Sequence, residues 1–187
     1  MSKFTISNNP ANKKLAILWI ALGIFSRLIP HPANFTPLTN LCFFAGTKFN
    51  RFFSLILVAI SLIASDLVLS AMRGSIAFGW ITLFTYSGWF GMLLVANKIC
   101  KKTSLQSSFF YVLGFETVFW LWTNFGFWLT QGLYPRSAAG LITCYIAGLP
   151  FLRTALIGDI IWFAVIFGIF ETVYKLITKN MQQKISV

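Results

Sequence analysis

The sequence predicts an all-helical membrane protein with about six transmembrane helices and both termini in the cytoplasm. Three observations carry that expectation. Of the 187 residues, 57% are hydrophobic and only 10% are charged, where a soluble domain carries about 25% charged residues. Long apolar runs recur along the whole chain, too many and too close together to be buried in one globule of this length. The basic residues fall between those runs and not on one polar stripe, so the net charge of +11 points to membrane topology and not to nucleic acid. The expected partner is a lipid bilayer, the expected location a bacterial inner (plasma) membrane with several passes. The chain is expected to form one integral domain over 1–187, with cytoplasmic tails at 1–14 and 179–187.

The first apolar run is 15–29. Lys13 and Lys14 precede it as they would precede the core of a signal peptide, but Arg27 and the prolines beyond leave no small-x-small cleavage site, so the run is expected to stay as a helix. The second run, 38–50, is short, because a span needs about 20 residues at ~1.5 Å each. It crosses only if it begins inside protein or the membrane thins there, which hints at a cavity above it. Runs at 52–71, 76–97, 107–131 and 154–177 complete the set, separated by segments that carry Pro, Gly or charge. Between the last two, 137–149 is apolar but broken by Gly140 and Gly148 and stopped by Pro150. It is expected as a short helix lying at the outer surface or dipping into it.

Six spans starting inside place Lys3, Lys13, Lys14, Lys48, Arg51, Lys98, Lys101, Lys102, Lys175, Lys179 and Lys184 in the cytoplasm. Arg27, Arg73, Arg136 and Arg153 fall outside, and the two sets account for all 15 basic residues. Insertion machinery reads such a bias. All the lysines lie inside while the outer cations are all arginine, a residue that holds carboxylates bidentately and stays charged when partly desolvated. Arg73 can equally be read as reaching to outer headgroups. Arg27 and Arg153, beside prolines and acids, are expected to pair.

The acids are Asp66, Glu116, Asp159 and Glu171, each within an apolar run where an unpaired charge is costly. Asp66 and Asp159 fall in the outer half with the arginines and are read as parts of a polar pocket. Glu116 and Glu171 fall nearer the inner half, where Lys98, Lys175 or interhelical hydrogen bonds would satisfy them, and are read as structural. The segment Pro30-His31-Pro32-Ala33-Asn34-Phe35-Thr36-Pro37 holds three prolines, so it is stiff without being regular, and stiff loops make good pocket walls. His31, the single histidine, has no nucleophile or metal cluster near it in sequence and is expected to hydrogen-bond and not to catalyse. Asn34 and Asn40 add uncharged donors and acceptors. Trp120, Trp122, Trp128, Tyr134 and Tyr145 gather about the outer end of the fifth span. About half of them suit an interfacial belt, while Asn124 among them needs a neighbouring helix or a ligand. Cys42, Cys100 and Cys144 show neither metal-ligand spacing nor a disulfide framework, and read as small buried hydrophobes.

The stretch RLIPHPANFTPLTNLCFFAG, Arg27 to Gly46, resembles the signature of a family of uncharacterised bacterial membrane proteins described as transport proteins. The likeness continues through Ser65-Asp66, Thr123-Asn124-Phe125-Gly126 with Trp128, Tyr134-Pro135, Gly140-Leu141, Cys144-Tyr145, Leu149-Pro150-Phe151 and Gly158-Asp159. Family members usually read PHPPN where this chain has Ala33. They look like the substrate-capture (S) components of energy-coupling factor vitamin transporters. That resemblance implies a six-helix binding protein with an outward pocket capped by loops, working with a transmembrane coupling subunit and ATPases. In that group the first helix often bears an AxxxA docking face, whereas Ala16 and Ala21 here stand five apart.

The function expected is therefore uptake of a small vitamin-like solute, bound by Arg27, His31, Asn34, Phe35, Asn40, Asp66, Trp120, Asn124, Trp128, Tyr145, Arg153 and Asp159. No catalytic residue, metal or cofactor is expected. No phosphate-binding loop is present, so energy for pumping must come from a partner or a gradient. The alternatives are a small intramembrane enzyme acting on lipid, with Asp66 or Asp159 as acid or base, and a structural assembly factor whose polar residues only fix helix packing.

Overall fold

A computed structural model describes the backbone of residues 10–74, 78–99 and 103–185, with side chains described from Leu18 to Ile169 within those segments, and for Thr172. The roles expected of Glu171, Cys100, Ala16, the tails 1–14 and 179–187, and Lys3, Lys13, Lys14, Lys101, Lys102, Lys175, Lys179 and Lys184 lie outside the described side chains. Among the described residues there are six helices and no strand: α1 (Pro10–Leu28), α2 (Leu38–Lys48), α3 (Arg51–Arg73), α4 (Trp80–Ile99), α5 (Leu105–Gln131) and α6 (Ala138–Ile185). α3 and the Ala138–Ile169 part of α6 are long and apolar enough to cross a membrane.

Local chemistry sets the ends of these helices. Asn50 caps α3 by accepting from the Phe53 amide at 2.8 Å, and Ser104 caps α5 by accepting from the Ser107 amide at 3.0 Å, each satisfying a donor the helix itself leaves orphaned. Gly74 and Gly132 close α3 and α5 in the left-handed conformation that glycine enters at no steric cost.

The expected break at Pro150 does not occur. The segment 137–149 is not a separate surface helix but the first part of α6, which runs through the proline. A proline deletes one rung of the helical ladder, here the one that the Ile146 carbonyl would accept, and α6 continues past it. Close by, the Trp120 indole N–H donates to the Gly148 carbonyl at 3.0 Å and the Thr154 hydroxyl to the Pro150 carbonyl at 3.0 Å.

α2 is the hub. Its 11 residues cover only about 16 Å, yet it touches each of the other five helices, and all of it except Thr47 is buried. A helix that is covered all round belongs in an interior, and that is why this element is short: it never meets the surface that the other five present. Gly46 lets α2 approach α4, since a Cβ there would stand 2.8 Å from Ala96 Cβ and 2.9 Å from the Leu93 carbonyl oxygen. Around α2, α1 packs on α3, α4 on α5 and α5 on α6. The C-terminal part of α2 is clasped in an aromatic core, with Phe43 and Phe44 against Phe167 at ring separations of 6.1 and 5.6 Å, and Phe163 stacked on Phe167 at 4.4 Å. The half of the bundle beyond the first turn of α2, toward the α5–α6 turn, is left for polar groups and open space.

Candidate functional site

Two cavities occupy that half. A vestibule of about 380 Å³ is lined by Asn34, Ile81, Thr123, Asn124, Phe127, Leu133, Tyr134, Cys144, Ala147, Gly148 and Phe151. Deeper in, a chamber of about 80 Å³ is lined by Asn34, Thr36, Thr39, Trp89, Glu116, Phe119, Trp120, Thr123 and Asn124. Asn34, Thr123 and Asn124 belong to both and form the throat between them.

Each lining group is held by its own element. Asn34 sits in the proline-rich loop at φ 62°, the one left-handed non-glycine among the described residues; asparagine tolerates that region better than most side chains. Asn124 Nδ2 donates to the Trp120 carbonyl at 2.9 Å on its own helix. Its Oδ1 lies against Gly148, where any Cβ would strike the amide and the Trp120 indole. Glycine at that position is thus what lets α6 close over the throat. Trp89 and Phe119 form one wall, their rings 4.1 Å apart, and Trp120 forms another, backed by Tyr145 at 5.4 Å.

Glu116 is 7% exposed and lies at the chamber. Thr39, in the first turn of α2, donates to its Oε2 at 2.5 Å. Among the described residues no group donates to Oε1. The next residue, Asn40, turns to α6 and donates from Nδ2 to Asp159 Oδ1 at 2.9 Å, so the first turn of α2 ties the two carboxylates of adjacent helices. Asn40 Oδ1 and Asp159 Oδ2 are buried without a partner.

The charged pocket expected from the sequence does not assemble. Arg27 and Asp66 pair with each other at 2.6 Å. Arg27 also donates to Ser65 Oγ, and Tyr86 Oη donates to Asp66 Oδ2 at 2.8 Å. The result is a tie between α1, α3 and α4, and neither residue lines a cavity above. Arg153 is exposed on a shallow groove formed by α6 alone, with Ile146, Leu149, Pro150, Thr154 and Ile157, and has no partner among the described residues. Asp159 is 1% exposed and faces Asn40.

The remaining candidates frame the site from behind. His31 Nδ1 donates to the Pro32 carbonyl within its loop at 2.8 Å, Phe35 packs over Gly158 and beside Trp162, and Trp128 Nε1 donates to the Pro135 carbonyl at 2.9 Å. Tyr145 Oη donates to the Leu121 carbonyl at 3.0 Å. Of the residues expected to bind solute, Asn34, Trp120 and Asn124 line the cavities.

Sequence reasoning missed Thr39, Thr123 and Trp89, and misjudged Glu116. That acid was expected to be satisfied by Lys98, Lys175 or an interhelical hydrogen bond and to be purely structural. The interhelical hydrogen bond is made, with Thr39 of the hub helix, but the acid also lines a cavity. A lone acid amid an apolar run was the available signal. The chamber offers one carboxylate, two amides, three threonine hydroxyls and three aromatic faces, and the vestibule adds Phe127, Tyr134 and Phe151, which is equipment for binding.

A family model described as a family of unknown function matches residues 7–182 of the chain. No curated protein and no solved structure matches it.

Proposed function

We propose, from the premise that the chain belongs to the family of unknown function DUF6580, that it is a multi-pass membrane transport protein that binds a small vitamin-like solute in the vestibule and chamber. The observation that carries this reading is the throat. Asn34, Thr123 and Asn124 lead from the end of the bundle to a buried carboxylate through helices that are otherwise apolar. Polar groups kept only for packing would close on one another, as Arg27 and Asp66 do. These instead surround a space near the lower end of the roughly 300–1,000 Å³ typical of small-molecule sites.

The outer surface supports placing all six helices in a bilayer. α1, α3, α4, α5 and α6 expose large apolar side chains, among them Leu18, Ile60, Leu83, Val118 and Ile157, far beyond what a soluble surface tolerates as contiguous patches. α4 and α5 have 20 and 27 residues, enough for a hydrocarbon core of about 30 Å. Their tryptophans, threonines and asparagines lower their mean hydropathy without shortening them. With the lysine-rich side in the cytoplasm of a bacterial inner membrane, the α5–α6 turn faces outward and the vestibule opens to the outside. Energy would come from a coupling subunit with ATPases or from a gradient. Arg153, unpartnered among exposed apolar groups, is a reason to expect a second membrane protein on that face, since a charge in hydrocarbon needs a partner.

The test is thermal unfolding of the purified full-length protein with vitamins and nucleobases added singly. Binding to the folded state alone raises the midpoint with the logarithm of ligand concentration over Kd. At least one compound is expected to raise it, and Asn124→Leu to abolish that rise. Stabilisation that survives a blocked throat, or a change in added lipid with no solute effect, would transfer the assignment to another class.

A further inference from the structure

We infer that the solute is an organic cation whose positively charged nitrogen enters the chamber and pairs with Glu116. This deepens the pocket reading above and rests on it. Two facts about the site point the same way. The one charged side chain that lines either cavity is Glu116, and neither lysine nor arginine is among the described lining residues. Its Oε2 is held by Thr39, which fixes the carboxylate, while Oε1 receives no hydrogen bond from a described residue.

A carboxylate withdrawn from water needs a positive partner or several donors. The nearest arginine–acid tie is complete in itself, and Arg153 stands on the far face of α6. The protein thus provides the acid and leaves the place of a cation beside it open.

The walls suit that partner. Trp89, Phe119 and Trp120 surround the carboxylate, and the faces of such rings attract cations, most strongly when water is excluded. An anionic solute would meet Glu116 without a compensating charge. A neutral one would be served by the Asn34 and Asn124 amides and would give the buried acid no reason to be there. Size divides the ligand in two. A chamber of about 80 Å³ takes a compact head, and the vestibule of about 380 Å³ takes the body between Phe127, Tyr134 and Phe151.

Full-length protein in lipid nanodiscs is titrated with benzylammonium, benzyl alcohol and benzoate, reading the tryptophan emission to which Trp89 and Trp120 contribute. Benzylammonium is expected to quench saturably, benzyl alcohol more weakly and benzoate least. Glu116→Gln is expected to weaken benzylammonium by roughly ten- to a hundredfold, the scale of a lost charge-assisted hydrogen bond, and to weaken benzyl alcohol far less. Thr123→Trp, which fills the throat, is expected to abolish quenching by all three.

If benzyl alcohol or benzoate binds as well as benzylammonium, or Glu116→Gln leaves benzylammonium binding unchanged, while Thr123→Trp still blocks the probes, the cation assignment falls and the pocket stands. If no probe quenches saturably, or Thr123→Trp leaves quenching intact, the pocket reading falls and takes the assignment with it. Where Glu116→Gln does not fold, the wild-type order of the three probes decides: cation first supports the inference, any other order overturns it.

Discussion

At the scale of single residues, the polar side chains divide into those that satisfy one another and those that do not. Arg27 and Asp66 share a short ion pair that Ser65 and Tyr86 complete. Alanine at both positions is therefore expected to cost less than the two single changes together. The double-mutant cycle in thermal or denaturant unfolding should return a coupling of roughly 1–3 kcal/mol, with solute-induced stabilisation unaffected because neither residue lines the cavities. Asn40 and Asp159 are the opposite case, each with an oxygen buried and unpaired. Asn40→Leu removes the one side-chain donor to Asp159 among the described residues and is expected to destabilise by about 1–3 kcal/mol or more. A midpoint within a degree of wild type would show that the carboxylate finds another partner.

At the scale of elements, α2 carries the most consequence for its length. Because five helices close on it, an error in its packing is transmitted to all of them. Gly46→Ala places a methyl against the α4 backbone, where only a shift of a helix can relieve it. The expected penalty is about 1–3 kcal/mol for overpacking, read as a lower unfolding midpoint and lower yield. α6 makes a different prediction. Arg153→Leu changes an exposed residue without partners, so the isolated protein should keep its stability to within about 0.5 kcal/mol. Uptake in cells and co-purification of a coupling partner should fall if that face docks another membrane protein; unchanged uptake would leave the arginine as a headgroup contact.

For the whole molecule, the expected arrangement is six crossings with the vestibule outward. In a cysteine-free background, single cysteines at Gly79 and Gly132 should react with an impermeant thiol reagent added to intact spheroplasts, and one at Thr103 only after lysis. Labelling of Thr103→Cys from outside would invert the topology and close the vestibule to extracellular solute.

Apolar runs, lysine placement and the Pro, Gly or charged segments between the runs are local properties, and from them the sequence by itself determined an all-helical chain and most helix limits to within a few residues. It also singled out the proline-rich loop and Asn124 as unusual, and both meet at the throat. Only the tertiary structure decided which polar group faces which. Helix rotation and depth choose those partners, and neither is written in the spacing of a strongly apolar helix, where every face reads alike. Hence Arg27 and Asp66 turned to each other, α6 ran through Pro150, and Glu116, placed by the sequence among structural residues, came to line the chamber.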